Sequence, residues 1–426
     1  MSANFHQAVH PVIVIAQCFG LFPVSGIGSS KLSDLKFTWW SFKVLYCCLS
    51  ISGSLALILF DILFLFNTTA VYNEKKRARK IIIGGPTVRL VFSLTATLGT
   101  VLLLKLAQQW PKLMASWEKV EKELNSKVTD HQTKPTNLAT RFKLLTLGAM
   151  FLALSEHILC ALSVYVESHP GMRSKDANND TLTLYFKGQF PQIFAQVEFA
   201  YWKGFLAQLV IFFCTFSWNF VDLFIVISGI ALSNLFSKLN NRIKSVEEEF
   251  CFTTKTMPDW WWAEARIDYN RVATIIREFD SQLSPIILLS FTTNLFFICI
   301  QFLCSFRLTT MEIETMYFIF SVSFIFVRLA MVSLCASSIH EESLTPLSIL
   351  YSVDSSAYTK EVQRFLFQVT TDRIGLTGMK FFYITRSFIL KVVGTVITYE
   401  LVLIQFNAVQ ADHHNQNITK EYITAF

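Results

Sequence analysis

The chain has 426 residues, of which 52% are hydrophobic and only 16% are charged, with 41 Phe and a formal net charge of +6. Soluble globular domains carry about 25% charged residues, and disordered or fibrous chains are poor in large apolar residues, so this composition excludes both classes. The sequence therefore predicts an all-α, multi-pass membrane protein, and its dispersed basic residues argue against nucleic acid as a partner.

The first apolar run, Val12–Val24, is too short to cross a bilayer and is interrupted by Gly20 and Pro23. No Lys or Arg precedes it and no small-residue cleavage site follows it, which argues against a signal peptide. We interpret residues 1–44 as a cytoplasmic amino-terminal segment with a short interfacial or half-inserted stretch.

Seven later windows are long and apolar enough to cross a membrane, since a hydrocarbon core of roughly 30 Å needs about 20 helical residues. The first four lie in residues 45–230, predicted to be a ligand-binding bundle because no outer segment is long enough to form a separate domain. The seven windows are Leu45–Phe66, Thr87–Leu106, Leu144–Val166, Phe205–Ile230, Pro285–Phe306, Thr315–Ala336 and Ile384–Phe406.

The segments between these windows complete the predicted organisation. Apolar residues at helical spacing run from Leu232 to Phe250 and from Ile267 to Phe279, which predicts a cytoplasmic helical hairpin at 231–284. Its apolar face is buried either within the chain or against another subunit. The remaining divisions are helices five and six at 285–336, a cytoplasmic loop with the start of helix seven at 337–383, helix seven at 384–407 and an extracellular tail at 408–426.

Charge and glycosylation sequons indicate a cytoplasmic amino terminus. Segments on that side hold about twice as many Lys and Arg as the outer segments. Basic residues at 75–80, in the first outer loop, argue the other way. The sequons at Asn67, Asn179 and Asn417 all fall outside only in this orientation, so we predict an extracellular carboxyl terminus with glycosylation at Asn179 and Asn417.

Motifs for catalysis and cofactor binding are absent from the sequence, which has no GxGxxG, Walker, GxSxG or HExxH pattern. The nine Cys lie mostly in apolar runs without metal-site spacing, and His413 and His414 stand in a polar tail. We therefore predict no enzyme activity, no cofactor and no metal site.

The seventh window carries the most specific motif. Thr398–Phe406 has the sequence TYELVLIQF, a Thr-Tyr pair and a Gln-Phe pair separated by five residues. This pattern resembles the carboxyl-terminal motif of insect gustatory receptors, and Glu400 directly after the Tyr resembles their sugar-receptor branch. The stretches Leu376–Tyr383 and Val12–Val24 also resemble that branch, so the similarity covers the whole chain and is strongest near its carboxyl end.

The resemblance implies a ligand-gated, non-selective cation channel in the plasma membrane of gustatory neurons, which admits Na⁺, K⁺ and Ca²⁺. Four copies, or this chain with related receptors, would surround one pore formed by the seventh helix. A single helix per chain cannot enclose water, which independently requires several copies. The predicted pore and gate residues are Thr398, Tyr399, Val402, Gln405 and Phe406, although Phe406 also suits an interfacial aromatic belt.

Glu400 lies about 200° round the helix from Thr398 and so faces away from the predicted pore. An ionisable group inside a membrane needs a polar partner. Glu400 therefore either makes a structural hydrogen bond or couples the ligand site to the pore helix.

The resemblance also implies a mono- or disaccharide ligand, which carboxylates and amides bind through hydroxyls and aromatic rings bind through C–H faces. The spacing of Glu198, Tyr201 and Trp202 predicts one shared helix face, and this group is the first candidate site, although packing explains each aromatic residue, taken singly, better than ligand binding does. The other candidates in the outer half of the bundle are Glu156, Asn294, Gln301 and Tyr317.

Three alternatives remain. A receptor for another tastant or odorant has the same architecture. A G-protein-coupled receptor is disfavoured by the inverted topology and by the absence of DRY and NPxxY motifs. A transporter is disfavoured because the sequence has no inverted repeat with broken helices.

Overall fold

Long helices build most of the protein. A computed structural model describes residues 5–29, 31–72, 84–127, 138–167, 181–252, 257–305, 312–355, 357–399, 401–402 and 405. The helices are α1 (Phe5–Cys18), α2 (Phe42–Tyr72), α3 (Gly84–Asn125), α4 (Leu138–Glu167), α5 (Thr181–Gln189), α6 (Pro191–Phe194), α7 (Tyr201–Phe252), α8 (Asp259–Ser305), α9 (Glu312–Leu344), α10 (Pro346–Ser352), α11 (Lys360–Thr371) and α12, which begins with residues 386–399. A 3₁₀ turn covers Leu32–Asp34, and an antiparallel pair of strands, β1 (Thr377–Gly378) and β2 (Phe382–Tyr383), precedes α12.

Within the described residues, six helices are long and apolar enough to cross a membrane: α2, α3, α4, α7, α8 and α9. They coincide with the first six predicted spans, which confirms the all-α, multi-pass class. The seventh window, Ile384–Phe406, is helical at 386–399, 401–402 and 405. Its crossing of the membrane stays a prediction.

Helix α7 is the centre of the bundle. Its most apolar window is 78% buried, compared with 22% in α2 and in α4, and it packs against α3, α4, α8 and α9. The contact with α9 depends on Gly229, because a Cβ there would lie 2.6 Å from the carbonyl oxygen of Cys335. The two backbones can therefore approach closely only with glycine at this position.

The amino-terminal helix differs from the predicted interfacial stretch Val12–Val24. It begins at Phe5, and its buried side chains, among them Val9 and Ile13, pack into the main core beside α4. The Phe5 ring lies 4.2 Å from the ring of Trp117 on α3. Phe5, Ala8 and Val9, which precede the predicted stretch, extend the buried apolar face of this helix. This face packs on the protein and not on the membrane surface alone.

Residues 231–284, predicted as a cytoplasmic hairpin, are the end of α7 and the start of α8. Their apolar faces are buried within the chain, where Leu235 and Leu239 share the core with Ile276, which favours the first of the two interpretations. The buried Asp268 carboxylate accepts hydrogen bonds from three cations. These are Lys127 Nζ at 3.0 Å, Arg242 Nη1 at 2.6 Å and Arg271 Nη1 at 2.8 Å. The side of the membrane on which this region lies stays a prediction.

A buried polar network joins α7, α8 and α9 halfway along the bundle. Arg328 on α9 is 7% exposed, and its Nε lies 3.0 Å from Asp222 Oδ2 on α7. Its two terminal nitrogens donate to Asn219 Oδ1 at 2.9 Å and Asn294 Oδ1 at 2.5 Å. Asp222 also accepts from Ser290 Oγ at 2.5 Å and Asn294 Nδ2 at 3.1 Å. A charge in this apolar interior requires such partners, so the network fixes the relative positions of three helices.

Replacing Arg328 with Ala leaves the Asp222 carboxylate buried without its counter-charge, and we expect the variant to lose about 3–5 kcal/mol of stability. Thermal unfolding of the purified protein in detergent measures this loss. Arg386→Ala is the control, because Arg386 forms a largely exposed 3.6 Å pair with Glu341. Such a pair contributes at most about 1 kcal/mol. Equal shifts in melting temperature for the two variants would contradict the prediction.

Candidate functional site

Three of the predicted ligand contacts come together between α4, α8 and α9. Ser321 Oγ on α9 donates to Glu156 Oε1 on α4 at 2.7 Å. Gln301 Nε2 on α8 donates to the same Ser321 oxygen at 2.8 Å. Tyr317, one turn before Ser321, interacts through its hydroxyl with Cys160 and Ser321. The result is a compact polar cluster in an otherwise apolar part of the bundle.

Among the residues that the structure describes, two acceptor atoms in this cluster have no hydrogen-bond partner. They are Glu156 Oε2 and Gln301 Oε1, and both atoms are buried. A buried acceptor without a donor costs free energy comparable to a lost hydrogen bond. Both belong to side chains that bond Ser321 through their other polar atom. The cluster is therefore suited to a ligand that donates hydrogen bonds.

The polar network of Arg328 lies next to this cluster. Arg328 follows Ser321 by seven residues, two turns along the same face of α9, and its charge acts on Glu156. Asn294, also a predicted ligand contact, belongs to this network and not to the cluster, because its amide is occupied by Asp222 and Arg328. The network thus supplies a positive charge near Glu156.

The first candidate group of the sequence, Glu198, Tyr201 and Trp202, does not share a helix face. Helix α7 begins at Tyr201, and Glu198 precedes it in a non-helical stretch, so the helical spacing assumed for the three residues is wrong. Glu198 is exposed, and Trp202 is 66% exposed. Lys203 Nζ donates to the Glu198 carbonyl oxygen at 2.9 Å and lies 5.7 Å from the centre of the Trp202 ring. These residues form an outer surface and not an enclosed site.

An apolar groove of about 490 Å³ lies between α2 and α7, and Trp202 is one of the residues that line it. Its walls include Gly53, Phe60 and Val210, and few polar side chains reach it. A sugar presents hydroxyls on most of its surface, and burying these without partners is unfavourable. The groove therefore does not match the polar ligand that the cluster of Glu156 suits.

His157, the neighbour of Glu156, faces a different helix. Its Nε2 lies 3.0 Å from Gln208 Nε2, and its Nδ1 lies 3.2 Å from Thr215 Oγ1, both on α7. Tyr185 on α5 donates to Gln208 Oε1 at 3.2 Å. These contacts connect α5 with α7, and α7 with α4.

The predicted pore residues on α12 are exposed in the single chain. Thr398, Tyr399, Val402 and Gln405 are exposed, and none of residues 386–399 is buried. Glu400, Phe406 and the sequon residues Asn179 and Asn417 lie outside the described residues.

Ser321, which joins Glu156 to Gln301, was not among the predicted site residues. Its signal was available, because Ser321 follows Tyr317 by four residues and shares its helix face. Arg328, the cation whose charge acts on Glu156, was also not among the predicted residues. The described residues contain no group of three or more His, Cys, Asp or Glu side chains placed to hold a metal ion.

Comparison with known proteins assigns the family. A family model described as "Trehalose receptor" matches residues 1–416. The chain is 33% identical over 404 residues to the Drosophila melanogaster "Gustatory receptor for sugar taste 64f", covering 95% of this chain and 81% of that protein. It is also 33% identical over 405 residues to the "Gustatory receptor 5a for trehalose" of the same species, covering 95% and 85%.

Among solved structures, the insect olfactory receptor OR5 from Machilis hrabei superimposes with a TM-score of 0.64, covering 93% of this chain and 97% of that one. The same receptor in complex with eugenol gives a TM-score of 0.63. At 14% identity these matches show a shared fold and nothing more. The family inferred from the carboxyl-terminal motif is confirmed by the match along nearly the whole chain, and it is a family of receptors and not of enzymes. The chain is thus a multi-pass membrane protein and belongs to the trehalose-receptor family of insect gustatory receptors.

Proposed function

We propose that this protein is a sugar receptor in which a mono- or disaccharide binds at Glu156, Gln301 and Tyr317 and opens a cation pore shared by four subunits. The observation that carries the proposal is the pair of buried acceptors, Glu156 Oε2 and Gln301 Oε1, that find no donor within the described part of the chain. A polyhydroxyl ligand supplies several donors within a few ångströms of one another, and Tyr317 offers an aromatic ring beside them.

The place of this cluster in the chain fits a ligand that arrives from outside. Gln301 lies four residues before the end of α8, and Tyr317 lies five residues after the start of α9. In the proposed topology the amino terminus lies inside the cell and the carboxyl terminus outside. The cluster is then in the outer half of the bundle. The names of the two relatives, a sugar-taste receptor and a trehalose receptor, support the same class of ligand.

The exposure of α12 supports a pore built from several copies. The polar residues Thr398 and Gln405 lie on one face of this helix and are exposed in the single chain. Polar side chains in a membrane face water or protein and not lipid. Four copies of α12 around an axis would place these residues along an aqueous path for Na⁺, K⁺ and Ca²⁺. Glu400, on the other face, would then couple the bundle to the pore helix, and a related receptor could replace one or more copies.

Removing either unpartnered acceptor should weaken sugar binding. For Glu156→Gln we expect the half-maximal sugar concentration to rise about tenfold or more, since a hydrogen bond to a charged group contributes about 1.5–3 kcal/mol. For Gln301→Leu we expect a smaller rise, about two- to tenfold, since a neutral hydrogen bond contributes about 0.5–1.5 kcal/mol. Whole-cell currents during pulses of glucose, sucrose, maltose, trehalose and fructose measure the change.

The matched control is Glu198→Gln, which alters an exposed carboxylate that the sequence alone favoured. It should leave the sugar response intact. A response lost in Glu198→Gln but kept in Glu156→Gln, at equal surface expression, would move the site to the outer surface. Currents evoked by a non-sugar tastant alone, with sugars silent, would support the alternative ligand class.

Shortening the predicted pore-facing amide should change permeation. For Gln405→Ala we expect an altered ratio of Ca²⁺ to Na⁺ permeability, measured from reversal potentials under bi-ionic conditions. Val393→Ala is the control, because Val393 is exposed and lies about 120° round the helix from Gln405. Unchanged permeability in Gln405→Ala, or an equal change in Val393→Ala, would exclude Gln405 from the pore wall.

The proposed topology predicts glycans on the outer sequons at Asn179 and Asn417. We expect Asn179→Gln and Asn417→Gln each to lower the apparent mass of the expressed protein, and a glycosidase to abolish the difference. An epitope at the amino terminus should be stained only after the cells are permeabilised. Staining of intact cells, with both sequons unmodified, would reverse the orientation.

A further inference from the structure

The strands β1 and β2 form a tight hairpin whose turn has an unusual backbone. The N–H of Phe381 donates to the Gly378 carbonyl at 3.0 Å, and the two central residues, Met379 and Lys380, have φ values of 47° and 61°. Both positions of such a turn favour glycine or asparagine, because a Cβ is strained in the left-handed region. Side chains therefore occupy two strained positions, which the surrounding structure must hold.

A carboxylate on α8 holds this turn. Asp280 is 9% exposed, and its Oδ1 accepts the Thr377 N–H at 2.6 Å while its Oδ2 accepts the Thr377 hydroxyl at 2.9 Å. The Thr377 hydroxyl oxygen in turn accepts the N–H of Lys380 at 3.3 Å. Thr377 thus connects the carboxylate directly to one of the strained residues. We call this set of contacts the latch.

The other face of the hairpin holds the first turn of α12. Phe382 packs on Gly378 so closely that a Cβ there would lie 2.3 Å from the ring. The Phe382 ring stacks on Phe388 of α12 with centroids 4.5 Å apart and an interplanar angle of 7°. Both rings pack against Phe291 of α8, at 5.5 and 5.8 Å.

The hairpin is a main attachment of α12 to its own chain. None of residues 386–399 is buried, whereas Ile384, directly before them, is fully buried. Helix α8, which carries the latch at Asp280 and the ring of Phe291, is itself fixed by Asn294 in the Arg328 network. Helix α8, which the network fixes, therefore holds the start of α12 through the hairpin, whereas the rest of α12 up to residue 399 is not buried.

We infer that Asp280 is a positioning residue: through the strained hairpin it holds α12 in its resting position, and the strength of the latch biases the pore towards its closed state. This inference rests on the proposed role of α12 as the pore helix. A ligand-induced shift of α8 would act on α12 at this point first. Weakening the latch and relieving the strain should have opposite effects on the closed state, which a merely structural contact would not produce.

Electrical recording tests the two directions. For Asp280→Asn, which replaces two charged acceptor oxygens with one neutral acceptor and one donor, we expect a larger unstimulated current and a half-maximal sugar concentration about fivefold lower. For the double variant Met379→Gly with Lys380→Gly, which keeps the turn but removes its strain, we expect the reverse shift of similar size. Thr377→Ser retains both donors and should behave as the wild type.

Glu278→Gln is the matched control, since Glu278 lies about 200° round α8 from Asp280. Opposite shifts in the two latch variants, with none in the control, support the inference. Shifts in the same direction, or none at normal surface expression, would overturn it.

Hydrogen–deuterium exchange of the purified protein tests the latch without any sugar response, so a silent wild type would count against the proposed function and not against the latch. We expect Asp280→Asn to accelerate exchange in residues 376–384 and also in the first two turns of α12. Acceleration confined to 376–384, with α12 unchanged, would make the hairpin a local structure and reject the positioning role.

Discussion

A guanidinium inside an apolar helix bundle has to be neutralised by groups from other helices, and the contacts that neutralise Arg328 organise this protein. Asp222 supplies the counter-charge from α7, and Asn294 supplies a second acceptor from α8. Helices in lipid gain little from the hydrophobic effect when they associate, so polar contacts and close packing determine how they meet. The three helices are consequently fixed in one register, and the positions of the residues on either side of the network follow from it.

The candidate ligand site is one consequence of this register. Ser321 stands two turns from Arg328, and it brings Glu156 of α4 and Gln301 of α8 to the same oxygen. Each of those side chains keeps one buried acceptor that no described residue bonds. A site of this kind is pre-organised, because the protein has already met the cost of burying the acceptors and the ligand only has to supply donors.

The bundle and α12 differ in how firmly they are held. Helix α7 is buried along most of its apolar window, whereas none of residues 386–399 is buried. The well-packed bundle suits a binding unit that changes little, and the exposed helix suits an element that meets other copies and moves. The hairpin with Asp280 and Phe291 joins the two, so its geometry limits how a change in α8 reaches the last helix.

The sequence by itself determined the class, six of the spans and the family. Apolar windows suffice for spans because every backbone polar group in lipid must bond within its own helix, and Thr398–Phe406 is a local motif. The sequence failed where an inference needed a helix boundary or a neighbour: Glu198 and Trp202 were placed on one face, but α7 begins only at Tyr201. Only the tertiary structure decided that Glu156 and Gln301, 145 positions apart in the sequence, share Ser321, since side chains on separate helices meet through packing that no local pattern encodes.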